Sequence, residues 1–244
     1  QNIKFSRAAN NWNYYLTFHG TNNSSYSFTG CLFGKHDFNM HYKSSVSFAG
    51  ISGITFYNCS IQSNDNTVYG DGILKFENCS NIDLNNCNFT QNMSFFGGAI
   101  YLSESSNVQV RNSLFEYNNS IAPEFEIPVG IPGGAIYIKL STNVRIDSNR
   151  FINNFTTGGG GAVYFKNTSI IHIENNLFKD NISQPVGSII PTPSDALGFN
   201  NCTFSASDIL LRNIIHSGFE QNTGYDDDFI VIGRECSGTL NITN

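Results

Sequence analysis

Three consecutive carboxylates, Asp226, Asp227 and Asp228, stand in "GYDDDF" a few residues before Arg234. A polysaccharide lyase or hydrolase needs clustered carboxylates with Arg or Lys, to bind calcium and abstract a proton or to form an acid–base pair. Consecutive residues of a strand alternate faces, and nothing else in the chain supplies a matching partner. The triplet therefore reads as a solvated acidic loop. The five histidines, His19, His36, His41, His172 and His216, are scattered without ligand spacing. The chain carries no G-x-S-x-G, no H-E-x-x-H and no phosphate loop. "GGGG" at 158–161 precedes a strand rather than a helix, so it reads as a tight corner. The expectation is a protein that is not an enzyme and that uses neither cofactor nor metal.

Two other chemistries are more prominent. Twelve asparagines fit the N-x-[ST] acceptor pattern of N-glycosylation, where about six would arise by chance. Asn23, Asn167 and Asn241 are the better glycan candidates; Asn58, Asn78, Asn88 and Asn201 are further ones, and Asn22 also fits. The remaining four, Asn92, Asn118, Asn154 and Asn181, share one phase of a repeat, where a stacked bare amide competes with a glycan and is preferred. Six cysteines form an even set: Cys31, Cys59 and Cys87 share a phase, and Cys79, Cys202 and Cys236 complete it. Stacked strands hold Cα atoms about 4.8 Å apart, within disulfide range, so a pair from the shared phase is feasible. Six cysteines allow fifteen connectivities, which leaves the pairing open. Acceptor sites, disulfide-compatible cysteines and few charges together point to an extracellular or cell-surface protein with covalent N-glycans.

These residues must be positioned by something, and the chain repeats itself. "GGAIYLSESSNVQVRNSLFEYNNS" at 97–120 returns as "GGAIYIKLSTNVRIDSNRFINN" at 133–154 and "GGAVYFKNTSIIHIENNLFKDNIS" at 160–183. "GILKFENCSNIDLNNCNFTQNMS" at 72–94 precedes them. The aromatic of the "F-x-x-N" ending marks the phase at Phe89, Phe115, Phe151 and Phe178, with Phe33 and Ile61 upstream and Phe219 downstream. Short alternating segments between Gly, Asn and Ser are the strand-and-turn pattern. A unit of this size buries its apolar face only by winding onto the next one. The expected fold is all-β, a right-handed parallel β-helix of about nine coils, forming a single domain over 1–244.

The register makes columns legible. Five residues before the markers stand Phe56, Leu84, Val110, Ile146 and Ile173, an inward stripe. Three before stand Asn58, Asn86, Asn112, Ser148 and Asn175; three after stand Asn64, Asn92, Asn118, Asn154 and Asn181. Side-chain amides stacked in this way donate to one coil and accept from the other.

Composition sets outer bounds. The chain has 244 residues, a net charge of −6 and 13% charged residues. Its Lys and Arg are few and unclustered, which argues against a nucleic-acid partner. No apolar run reaches the length of a membrane span. A start at Gln1 is what a mature chain that has lost a signal peptide would have.

The paired "GGAI" and "FxxN" signatures, at Gly97 to Ile100, Gly133 to Ile136, Phe115 to Asn118 and Phe151 to Asn154, resemble the repeats of chlamydial polymorphic membrane proteins. "GGAV" at Gly160 to Val163 and "FKDN" at Phe178 to Asn181 match as well, and surface proteins of protists carry similar repeats. The resemblance implies a right-handed β-helix displayed at the cell surface and acting in adhesion.

Two insertions break the period, "IAPEFEIPVGIP" at 121–132 and "QPVGSIIPTPSDALG" at 184–198, and they contain all six prolines. Both follow an "FxxN" asparagine, so they leave from one corner. They carry Phe125, Ile127, Val129, Ile131, Val186, Ile189 and Ile190, candidate interface residues, because apolar side chains on projecting loops mark contact surfaces. The expected function is an extracellular structural glycoprotein that self-associates into a fibre or surface coat. The alternative is a monomeric adhesin for other cell-surface molecules, and a polysaccharide lyase or hydrolase is third.

Overall fold

The computed structural model describes residues 4–6, 15–20, 24–34, 45–121, 131–184, 196–204, 209–212, 215–217, 230–232, 236–238 and 241–243. All strand pairs are parallel, and each coil lays its strands onto those of the next in four ladders. The first ladder contains Ile100–Ser103, Ile136–Lys139 and Val163–Lys166. The second contains Ser106–Arg111, Thr142–Asp147 and Ser169–Glu174. The third contains Leu114–Glu116, Arg150–Ile152 and Leu177–Lys179. The fourth, made of two-residue strands here, contains Asn119–Ser120, Phe155–Thr156 and Ile182–Ser183.

The first and third ladders run to eight strands and the fourth to five, so the described residues give five four-stranded coils inside an eight-coil stack, rather than about nine. The markers align as read: Phe33 on Ile61, Ile61 on Phe89, then Phe115, Phe151 and Phe178. Beyond them the reading needs correcting, because His216, not Phe219, stands in register with Phe178. Phe219 lies outside the described residues.

Inward positions form one continuous core from Phe28 to Cys202. The stripe of Phe56, Leu84, Val110, Ile146 and Ile173 is fully buried. Phe89, Phe115, Phe151 and Phe178 stack with centroids 4.6, 4.8 and 5.0 Å apart and nearly parallel planes. The strand spacing favours this: identical buried rings one coil apart come into full contact in the offset face-to-face arrangement. Each such burial stabilises by about 1.5–3 kcal/mol.

The corners explain the asparagines, and they do so in two different ways. Asn92, Asn118, Asn154 and Asn181 are buried and form a continuous ladder. Asn92 Nδ2 donates to Asn118 Oδ1 at 3.0 Å, Asn118 Nδ2 to Asn154 Oδ1 at 3.0 Å, and Asn154 Nδ2 to Asn181 Oδ1 at 2.8 Å. The second hydrogen of each amide goes to a carbonyl of the preceding coil, as from Asn118 to Phe89 at 2.9 Å and from Asn154 to Phe115 at 3.0 Å. The other column, Asn58, Asn86, Asn112, Ser148 and Asn175, is not a ladder of this kind. Its members share φ between 52° and 57°, the left-handed region that asparagine tolerates better than most residues. Their side chains are half- to fully exposed and only partly linked, as by Asn86 Nδ2 to Asn58 Oδ1 at 3.4 Å.

The corner between the fourth and first ladders is closed by backbone. At "GGA" Gly97, Gly133 and Gly160 take φ of 60°, 78° and 71°, and a Cβ on Gly134 would lie 2.0 Å from the Gly161 carbonyl oxygen. Only glycine lets the coils approach this closely.

Candidate functional site

The insertions depart where a buried hydroxyl column, Ser94, Ser120, Thr156 and Ser183, runs beside the glycine corner. Ser94 Oγ donates to the carbonyls of Phe96 and Gly97 at 3.0 Å, and Ser120 Oγ to Phe95 at 2.9 Å and Pro132 at 3.4 Å. Thr156 Oγ1 donates to the Ile131 carbonyl and Ser183 Oγ to that of Gly158. Ser120 and Ser183 are two rungs apart, so both insertions leave from one corner, as the repeat phase requires. The column also ties down the end of the first insertion. Ile131 is buried within this chain, so it is not presented to a partner. Phe125, Ile127, Val129, Val186, Ile189 and Ile190 lie outside the described residues.

Next to this corner the first ladder buries its outward face too. Tyr101 and Tyr137 meet at 5.7 Å with planes tilted by 45°, Tyr137 and Tyr164 stack at 5.9 Å, Phe96 packs against them, and the ammonium groups of Lys75 and Lys139 lie 5.5 and 5.3 Å from the Tyr101 ring centre. Burial pushes the Tyr137 and Tyr164 hydroxyls up, away from ionisation.

The outward face of the second ladder gathers charges that are far apart in sequence. Asp83, Gln109, Arg145 and His172 form one column, and Asn85, Arg111, Asp147 and Glu174 the next. Arg111 grips Asp83 with both arms, Nε to Oδ1 at 3.1 Å and Nη2 to Oδ2 at 2.8 Å, and this pairing raises its pKa. Arg145 Nη2 reaches Asp147 at 3.4 Å and Glu174 at 3.2 Å. Burial opposes ionisation of Asp147, but hydrogen bonds from Asn175 and Ser148 and the charge of Arg145 outweigh it and hold the carboxyl below its ordinary value. Both guanidinium groups are more than 40% exposed, so each pair contributes about 0–1 kcal/mol. The marker phase of the repeat places these residues six and four positions before each marker, which is the signal that would have found the cluster.

The acidic triplet Asp226 to Asp228 and Arg234 lie outside the described residues. Among the described residues no three of His, Cys, Asp and Glu gather in a form that could hold a metal ion, and no helix is long and apolar enough to cross a membrane.

The cysteines occupy two columns, of which the repeat phase revealed one. Cys31, Cys59 and Cys87 continue into Ser113, Asn149 and Asn176; Cys79 continues through Ser105, Ser141 and Thr168 to Cys202 and Cys236. No disulfide joins any of the six in this structure. Four of the sulfurs approach a carbonyl of the preceding coil: Cys59 that of Phe28 at 3.4 Å, Cys79 that of Phe48 at 3.4 Å, Cys87 that of Phe56 at 3.5 Å and Cys202 that of Phe165 at 3.7 Å. Asn149 and Asn176 serve the same place with amides, to Val110 and Ile146, both at 2.8 Å. The contact between Cys59 and Cys87 draws the Cys59 thiol below its ordinary value and pushes that of Cys87 up, while burial pushes Cys202 up to about 12.

Of the acceptor sites, Asn58, Asn78, Asn88 and Asn201 are exposed, and Asn167 is half-buried, accepting from Asn201 Nδ2 at 2.7 Å. Asn22, Asn23 and the side chain of Asn241 lie outside the described residues.

No curated protein matches the chain. Residues 44–226 match the family model described as "Right handed beta helix region", which covers most of the chain and the ladder strands from Ser45–Ala49 to Ile215–Ser217. The stacked four-sided coils and this match together establish that the chain belongs to the right-handed β-helix family.

Proposed function

We propose that the chain is an extracellular structural subunit, a stiff rod that packs into a fibre or surface coat through the corner carrying its two insertions. The observation that carries this reading is the placement of Ser120 and Ser183 in one hydroxyl column, which puts both departures on the same edge two coils apart. Loops stiffened by proline lose less entropy on docking, which suits them to lateral contact. The investment of the repeat in corner ladders suits a spacer whose length and straightness matter more than any single pocket. In an oxidising compartment, the stacking of Cys202 on Cys236 supports a disulfide between them.

The resemblance to polymorphic membrane protein repeats supports a second reading, a monomeric surface adhesin that uses the same corner. In both readings the Arg–Asp–Glu face serves to hold coils together, because its carboxylates are engaged by Arg111 and Arg145.

Sedimentation and electron microscopy of the intact chain and of a variant lacking 122–130 and 185–195 test the choice. Both deletions spare Ile131, which belongs to the core. A lateral assembly that disperses on deletion, with the strand signal of circular dichroism unchanged, is the expected result. An intact chain that stays monomeric at high concentration would refute the fibre and favour the adhesin.

A further inference from the structure

The twelve acceptor sequences do not carry equal weight once the fold is known. Four of them, beginning at Asn92, Asn118, Asn154 and Asn181, arise because the buried amide ladder is followed two residues later by the buried hydroxyl column. In these four the amide nitrogen that would carry a sugar donates to a carbonyl of the preceding coil, and in the first three also to the next asparagine. Four others, beginning at Asn58, Asn78, Asn167 and Asn201, arise from a turn residue with φ between 48° and 54°, a buried corner residue, and a Ser or Thr that opens the next strand. Eight of the twelve matches are thus by-products of corner chemistry, which accounts for the excess over chance.

Asn88 differs. It opens a third-ladder strand, Asn88–Thr90, with its side chain exposed and Phe89 inward. Residues in register with it are Ser60, Leu114, Arg150 and Leu177, and those in register with Thr90 are Gln62, Glu116, Ile152 and Lys179. No other asparagine stands in the Asn88 column, and the residues that flank Thr90 in the adjoining coils, Gln62 and Glu116, carry no hydroxyl, so no rule of the coil places this sequence here. The amide and the Thr90 hydroxyl share one face, as residues two apart on a strand must. The neighbours Ser60 and Leu114 are only half-buried and leave the amide open to solvent.

We infer that Asn88 is an N-glycan acceptor and that the four ladder asparagines are excluded as acceptors in the folded chain. This rests on the extracellular reading above for the compartment. The co-reactant is an oligosaccharide linked to a lipid pyrophosphate. The Asn88 amide nitrogen bonds to the anomeric carbon, the bond from that carbon to the pyrophosphate oxygen breaks, the lipid pyrophosphate leaves, and the amide loses one proton. A glycan here marks the third-ladder face as solvent-facing in any assembly and leaves the insertion corner free to pack.

The test is secretion of the full chain from eukaryotic cells behind a cleavable leader, isolation of the protease-resistant monodisperse fraction, and enzymatic deglycosylation in heavy-oxygen water with peptide mapping. The expected result is an Asp carrying the heavy label at 88, lost together with one glycan's mass in Asn88→Gln, and unlabelled Asn92, Asn118, Asn154 and Asn181. A bare Asn88 in secreted protein, or a label at any of the four ladder positions in folded protein, would overturn the inference. Because the host and leader are supplied, a negative result at Asn88 leaves the assembly reading untouched, and failure to assemble leaves the glycan assignment untouched.

Discussion

Replacing Asn154 with alanine strikes the ladder at an internal rung. Its Nδ2 donates to the Phe115 carbonyl at 3.0 Å and to Asn181 Oδ1 at 2.8 Å, and its Oδ1 accepts from Asn118 Nδ2 and from the Asn118 backbone N–H, both at 3.0 Å. Alanine removes all four bonds and leaves two N–H donors of Asn118 without that acceptor, in a place with no exposure to water. At about 1–3 kcal/mol for each orphaned buried donor, the expected loss is about 2–6 kcal/mol. Asn64, at the upstream end of the described ladder, supplies the control. It donates to Phe33 at 3.3 Å and to Asn92 at 2.9 Å, but no asparagine among the described residues donates to it, so Asn64→Ala should cost clearly less. Urea unfolding of protein made in bacteria, where glycosylation does not intervene, measures both, with the slope checked because repeat arrays can lose cooperativity. An Asn154→Ala protein within about 1 kcal/mol of the parent, or no weaker than Asn64→Ala, would refute the claim that the corner is held by these bonds.

Ile146→Ala should cost about 2–5 kcal/mol by the same assay, since the side chain is fully buried in the core stripe. Gly134→Ala should abolish soluble folded protein, because the new Cβ would meet the Gly161 oxygen at 2.0 Å and the Phe155 oxygen at 2.9 Å; the soluble fraction on expression reads this out. Asp147, whose folded pKa lies below its ordinary 3.8, contributes stability above that value and loses it as pH falls from about 4 through the folded pKa. Asp147→Asn should therefore flatten part of the acid limb of a stability profile, by less than about 1 kcal/mol given the exposure of Arg145.

The repeat determined most of the architecture before any coordinate. A chain in which Phe89, Phe115, Phe151 and Phe178 recur with a common flank has to present the same surface to each neighbour, and strand spacing then stacks equal phases. That is why the core stripe, the buried amide ladder and the common corner of the insertions were legible in the sequence. The use of asparagine at Asn58, Asn86 and Asn112 was not, because stacking and a left-handed turn ask for the same residue, and only φ distinguishes them. The second cysteine column was hidden for a related reason: serine and threonine stand between Cys79 and Cys202, and their equivalence appears only when a thiol and a hydroxyl are seen standing at one corner. The charged face escaped because Asp83, Arg111, Arg145 and Glu174 are spread over 92 positions and meet only across coils. Whether an acceptor sequence can carry a sugar was decided wholly by tertiary structure. The pattern is local, but the availability of an amide depends on whether another coil has already taken its hydrogens.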